Sequence, residues 1–142
     1  MAKDMTAHAI LEAGMRFDVE TGTGHHIMLD ASVEGGGKDS GARPMELLLV
    51  ALASCAGMDI ASILRKKRQD VKSYEVFVHG ARTDKYPQVF TEITVEHVLT
   101  GHDISPTATQ QAIDLTEERY CGVGAMLGAT AKLVHTFRLI EA

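Results

Sequence analysis

The sequence has no tryptophan, only two cysteines and no excess of positive charge. It also lacks repeats, low-complexity segments and an apolar stretch at its start. Each absence excludes something. Two cysteines do not make a structural disulfide framework, and in a reducing compartment they are either inert or redox-active. A formal charge of −5 argues against a partner bound through a phosphate backbone, so no nucleic acid is expected. Acidic and polar residues in MAKDMTAHAILEAG occupy the place where an export signal needs an apolar run, so the expected location is cytoplasmic. Residues 45–64 resemble a membrane span, but Glu46, Ser54, Asp59 and Ser62 shorten the clean apolar segment, so no membrane partner is expected and a buried core helix fits better.

What remains is 142 residues, 45% hydrophobic and 23% charged, the composition of one soluble globular domain over residues 1–142. Met15, Phe17 and Val19 alternate with Arg16, Asp18 and Glu20 ahead of the turn glycines in TGTG, so residues 8–31 read as an antiparallel hairpin whose far strand runs to about Ala31. SVEGGGKDSGARP has no apolar period and reads as a surface loop or a segment ordered by a partner.

Pro44 opens a helix, and strong helix formers continue from Met45 to about Gln69, ending in the basic turn Arg65 to Arg68 that the helix dipole favours. Its first two-thirds is apolar nearly all round, more than one small chain can enclose, which implies a dimer. Alternation over Tyr74–His79 and Ile93–Leu99 gives a second hairpin around TDKYPQ. Ser105-Pro106 starts a helix to about Tyr120; Gly122 and Gly124 break it, a short turn or helix covers Ala125–Gly128, and LVHTFRLI closes as a strand. The expected class is α+β, with sheets packed around buried helices.

Cys55 lies in the apolar run LLLVALASCAGMDI and Cys121 at a helix end beside Gly122. A free cysteine is often a small buried hydrophobe. At a break in a helix, free backbone amides instead favour a thiolate, and together the two cysteines suit a peroxide-reducing redox pair. An ordinary thiol, with pKa about 8.5, needs a nearby cation or hydrogen-bond donors to ionise at neutral pH; a buried arginine is the natural supplier. Asp59 shares the face of Cys55 four residues on, where its charge opposes a thiolate. Glu46 precedes Cys55 by nine residues; at about 100° each it falls on the opposite face, roughly 13 Å along the axis, and can serve the site only from another subunit or by orienting an arginine.

GTGHHIMLD, PMELLLVALASCAGMDIASILRKKRQDV and DLTEERYCGVGAML, with the order of elements, resemble the OsmC/Ohr family of osmotically inducible protein C and organic hydroperoxide resistance proteins, in its YhfA-like branch. The resemblance implies an OsmC-like fold, antiparallel sheets around a long buried central helix in an intertwined homodimer with sites at the subunit interface. It implies that Cys55 and Cys121 reduce small organic hydroperoxides at the expense of a thiol or dithiol reductant, without a cofactor. Glu46, Arg16 and Arg43 are the accessory candidates it suggests. The well-characterised branches carry a glutamate directly after the proline, where this chain has Met45. Their activating arginine falls in a turn that here reads Thr23-Gly24-His25, and Gly122 replaces the proline after the second cysteine. These departures leave open a second reading, a non-enzymatic stress-associated protein that binds a small hydrophobic ligand in the dimer cavity. A metal site built on His25-His26 is not expected, because adjacent strand residues point to opposite faces and no C-x-x-C or H-x-x-x-H pair is present.

Overall fold

A computed structural model describes residues 4–142 and divides into two compact units, Met1–Leu48 and Leu49–Ala142. In the first, Gly14 takes a left-handed φ of 59°, which a glycine adopts without steric penalty. The chain therefore reverses between β1 (Ala7–Ala13) and β2 (Arg16–Thr21), and reverses again at Gly22–Gly24 into β3 (His26–Leu29). Where the sequence reading placed one hairpin over residues 8–31, the structure has a three-stranded antiparallel meander. The far strand stops at Leu29, two residues short of expectation, because Asp30 diverts the chain.

The Asp30 carboxylate accepts hydrogen bonds from the backbone N–H groups of Ala31, Lys38 and Ser40 at 2.7, 3.1 and 3.1 Å and from the Ser40 hydroxyl at 2.7 Å. These bonds hold its ionised form well below the usual carboxylate range, the Ser40 hydroxyl acting most strongly. The glycine-rich loop is thus ordered by a carboxylate of its own chain.

Helix α1 spans Pro44–Lys66. Proline at the first helical position loses no helical hydrogen bond, and Glu46 Oε1 accepts the Arg43 N–H at 2.8 Å, the reciprocal half of a capping box. The helix ends before the expected Gln69 because Arg68 turns left-handed at φ 57°. In the second unit its buried residues Leu52, Ala56, Ile60 and Leu64 recur every four positions, a single stripe. Ile60 and Leu64 join Leu99, Ile104, Ala112 and Ile113 in one core cluster.

That core rests on a three-stranded sheet of β4 (Asp70–Arg82), β5 (Phe90–His102) and β6 (Lys132–Glu141), with β5 central. Ile93, Val95, His97 and Leu99 of β5 all point inward and are fully buried. Antiparallel pairing joins β4 to β5, but β5 and β6 pair in parallel, so the sheet is mixed. A parallel neighbour requires a crossover, supplied by α2 (Pro106–Leu115) and α3 (Gly122–Gly128). Ser105 caps α2, its hydroxyl accepting the Ala108 N–H at 3.1 Å. Instead of one helix to Tyr120, the chain widens into a π-type turn over Thr116–Tyr120, and Gly122 opens α3 rather than breaking a helix.

Candidate functional site

The π-type turn fixes the second cysteine. The Cys121 N–H reaches back to the Thr116 carbonyl at 2.9 Å, a five-residue step that widens the turn and ends it at an extended Cys121, φ −81° and ψ 96°. Such widened turns recur at functional sites. Cys121 then stands as the N-cap of α3, with Sγ accepting the Gly124 N–H at 3.2 Å. A Cβ on Gly124 would lie 3.2 Å from this sulfur, so the close approach of the backbone depends on glycine.

Cys55, midway along α1, and Asp59, one turn later on the same face, complete the cluster. The two sulfurs and an Asp59 carboxylate oxygen all lie within 4.8 Å of one another. Both cysteines are free thiols, Cys55 half-buried and Cys121 buried. The chain segments that carry them are 66 positions apart in sequence, and packing of α1 against the crossover brings them together. Burial pushes the Cys121 thiol up to about 11; the Gly124 N–H opposes this, and Cys55 and Asp59 add to it. Asp59 Oδ2 is buried and has no hydrogen-bond partner among the described residues.

Beside Cys121 a pocket of about 330 Å³ is lined by Thr116, Glu117, Gly124, Lys132 and His135, among others. Thr116, one of its lining residues, is fully buried, and its hydroxyl has no hydrogen-bond partner among the described residues. From His135 a polar chain, buried at His97 and half-buried at its ends, runs across one face of the sheet: His135 Nδ1 lies 2.9 Å from His97 Nε2, and His97 Nδ1 lies 2.6 Å from the Tyr74 hydroxyl. The two imidazoles stack, 5.2 Å between centroids and 4° between planes. Burial lowers His97 to about 4 and lowers His135, while it raises Tyr74. All three are therefore neutral at pH 7. With the Tyr74 hydroxyl donating to His97 Nδ1, His97 Nε2–H donates to His135 Nδ1, and both nitrogens of His97 are satisfied. Alternation alone puts His97 and His135 on strand faces; the parallel register, Val95 opposite His135 and His97 opposite Phe137, is what makes them neighbours.

The accessory candidates lie in the first unit, each with local partners. Arg16 Nε forms an ion pair with Glu12 Oε1 at 3.3 Å but is buried without a hydrogen-bond partner among the described residues. Arg43 pairs with Asp39 Oδ1 at 2.8 Å and donates to the Gly41 carbonyl at 3.0 Å. Glu46 accepts the backbone N–H of Arg43 rather than its guanidinium. His25 Nδ1 contacts the Thr23 hydroxyl at 2.9 Å, and His26 Nδ1 the Asp18 carboxylate at 2.9 Å, turn and cross-strand roles respectively.

A two-layer α+β unit in which a long apolar helix presents one thiol to a second thiol at a helix cap defines a protein with a paired-cysteine site. A family model described as OsmC-like protein matches residues 36–136, and the chain belongs to that family. It is 36% identical over 129 residues to Protein YhfA of Escherichia coli strain K12, covering 91% of this chain and 93% of that protein. Among solved structures, a hypothetical protein from Aquifex aeolicus superposes with a TM-score of 0.87 at 32% identity, covering 99% of each chain. The organic hydroperoxide resistance protein OhrB of Bacillus subtilis shares the fold, with a TM-score of 0.64 at 14% identity over 96% of this chain and 98% of that one.

Proposed function

We propose that the protein is a thiol-dependent peroxidase that reduces organic hydroperoxides through Cys55 and Cys121. The observation that carries this reading is the meeting of two free thiols within 4.8 Å beside a pocket of about 330 Å³. Cys55, the less buried sulfur, attacks the distal peroxide oxygen as a thiolate; the O–O bond breaks, an alcohol leaves with a proton, and Cys55 becomes a sulfenic acid. Cys121 then attacks the Cys55 sulfur and expels water, and an external thiol or dithiol reduces the resulting disulfide. Burial keeps the Cys121 thiol protonated, which leaves Cys55 as the sulfur that attacks first; the Cys121 proton leaves with the sulfenic hydroxyl as water when the disulfide forms. Family membership and the hydroperoxide-resistance names of fold neighbours support the same reading.

The working form in this reading is a homodimer in a reducing, cytoplasmic setting, with each site completed at the subunit interface. Glu46, Arg16 and Arg43 remain the candidates for accessory charge. One observation favours the ligand-binding alternative: the acid Asp59, not a base, is the charged group clustered with the thiols. Thiol titration before and after one equivalent of cumene hydroperoxide separates the two readings. Loss of both thiols per chain, restored by dithiothreitol, is the peroxidase result; unchanged thiols overturn it.

A further inference from the structure

The cluster holds two sulfurs and a carboxylate oxygen within 4.8 Å, and the acid is unexplained by the redox reading. Asp59 disfavours a thiolate beside it, and its buried Oδ2 has no partner among the described residues. A buried carboxylate oxygen without a donor is costly, and a cation removes that cost. Two thiolates and one carboxylate form a ligand set for a borderline-soft divalent ion of the zinc class, not for magnesium or calcium.

The geometry fits closely. Zinc bonds of about 2.3 Å to sulfur and about 2.0 Å to oxygen in a tetrahedron separate the two sulfurs by about 3.8 Å and sulfur from oxygen by about 3.5 Å. The three atoms already lie within 4.8 Å, so the set closes if the sulfur–sulfur distance shortens by at most about 1.0 Å and each sulfur–oxygen distance by at most about 1.3 Å. The ligands sit on regular elements: Cys55 and Asp59 one turn apart on α1, and Cys121 locked between the π-type turn and the Gly124 N–H.

We propose that the reduced protein binds one zinc-class divalent cation per chain through Cys55 Sγ, Cys121 Sγ and an Asp59 carboxylate oxygen, leaving a fourth position for water or an external thiol. The site assembles from segments distant in the sequence, which is why ligand-spacing rules do not reveal it. Binding exchanges the two thiol protons for the metal, M²⁺ plus two thiols giving a dithiolate complex and two H⁺, with no change of oxidation state. Metal ligation and disulfide formation then exclude each other, because both require the same sulfur electron pairs. This inference holds whether or not the site reduces peroxides.

Cobalt(II) titration of the reduced, chelator-treated full chain under anaerobic conditions tests it. The expected result is one equivalent bound, with the visible bands of tetrahedral cobalt and a near-ultraviolet thiolate-to-cobalt charge-transfer band, both abolished by one equivalent of zinc. Cys55→Ser and Cys121→Ser are expected to lose the charge-transfer intensity stepwise. Asp59→Asn is expected to weaken binding by more than the roughly 10–100-fold that loss of an outer hydrogen-bond partner costs. The native chain oxidised by diamide, which needs no substitution and so carries no folding risk, is expected not to bind. Octahedral cobalt without charge transfer, or binding that survives oxidation, would place the ion on surface groups such as His26 and Asp18 and overturn the proposal. Cobalt binding alongside inert thiols in the cumene hydroperoxide titration supports this site while overturning the peroxidase reading; the reverse pair does the opposite.

Discussion

At the scale of single residues, the proposed chemistry assigns unequal roles to two similar side chains. Cys55→Ser is expected to abolish hydroperoxide consumption. Cys121→Ser should leave a Cys55 sulfenic acid that a dimedone-type probe labels after one equivalent of peroxide. Equal residual activity in the two variants contradicts the division of roles. The sequence alone put Cys55 and Asp59 on one face, because a four-residue spacing on a helix fixes that geometry. It did not show the meeting with Cys121, which depends on a π-type turn and on how the crossover packs. Nor did it show the Tyr74–His97–His135 chain: alternation along β5 and β6 reveals which residues face inward, whereas their neighbours are set by a parallel register that no local pattern encodes.

That buried chain makes stability depend on pH. His97 titrates near 4 when folded and near its ordinary value of 6.5 when unfolded, so between these values the unfolded chain alone holds the proton. Stability therefore rises with pH across this window, and acidification through it removes up to about 3 kcal/mol. His135 is lowered too and adds in the same sense. His26 and His102 are raised by Asp18 and Glu141; their contributions are present below 6.5 and lost as pH rises past their folded values, and exposure keeps them small. Urea denaturation between pH 4 and 7 should show the slope dominated by His97. Tyr74→Phe leaves His97 Nδ1 without its partner at 2.6 Å and is expected to lower stability by about 1–3 kcal/mol at pH 7. No change would mean that the hydroxyl does not satisfy the ring.

At the scale of elements, boundaries were legible where one residue type dictates the backbone and not where a side chain outside the element does. Pro44 and Pro106 start α1 and α2 as expected. The first turn, at Gly14, was missed because the alternation around Met15 masks a two-residue reversal, and the meander took the place of one hairpin. The loop after β3 reads as flexible by composition, yet four hydrogen bonds to the Asp30 carboxylate organise it. Asp30→Ala is therefore expected to open residues 31–40 to limited proteolysis while α1 and the second sheet keep their amide protection; a loop that stays resistant would show that the glycine turns suffice. In α1 the contrast lies within one helix. Leu64→Ala removes a side chain that is 1% exposed from the core cluster and should cost about 2–5 kcal/mol. Met58→Ala, at a residue 72% exposed in the single chain, should cost almost nothing in a monomer, and any larger loss reports a covered face.

At the scale of the whole molecule, that covered face becomes the question. Helix α1 is long and apolar enough to cross a membrane by length and composition, yet in its most apolar window only 22% of residues are buried within the chain. Val50 and Met58 stand 58% and 72% exposed, and contiguous apolar surface of this kind marks an interface. A bilayer fits poorly: Ser54 and Asp59 interrupt the apolar run of the helix, and a carboxylate inside hydrocarbon is expensive. A second copy of the chain fits better, because a two-fold axis covers the same patch on both partners at once, and it would account for a helix apolar on nearly every side. Light scattering on a gel-filtration column, without detergent, is therefore expected to give twice the chain mass. Met58→Glu should shift the population toward monomer and lower thermal stability in a concentration-dependent way. A protein that is monomeric at every concentration, or soluble only in detergent, would remove the dimer and with it the shared cleft in which the proposed peroxide chemistry is set.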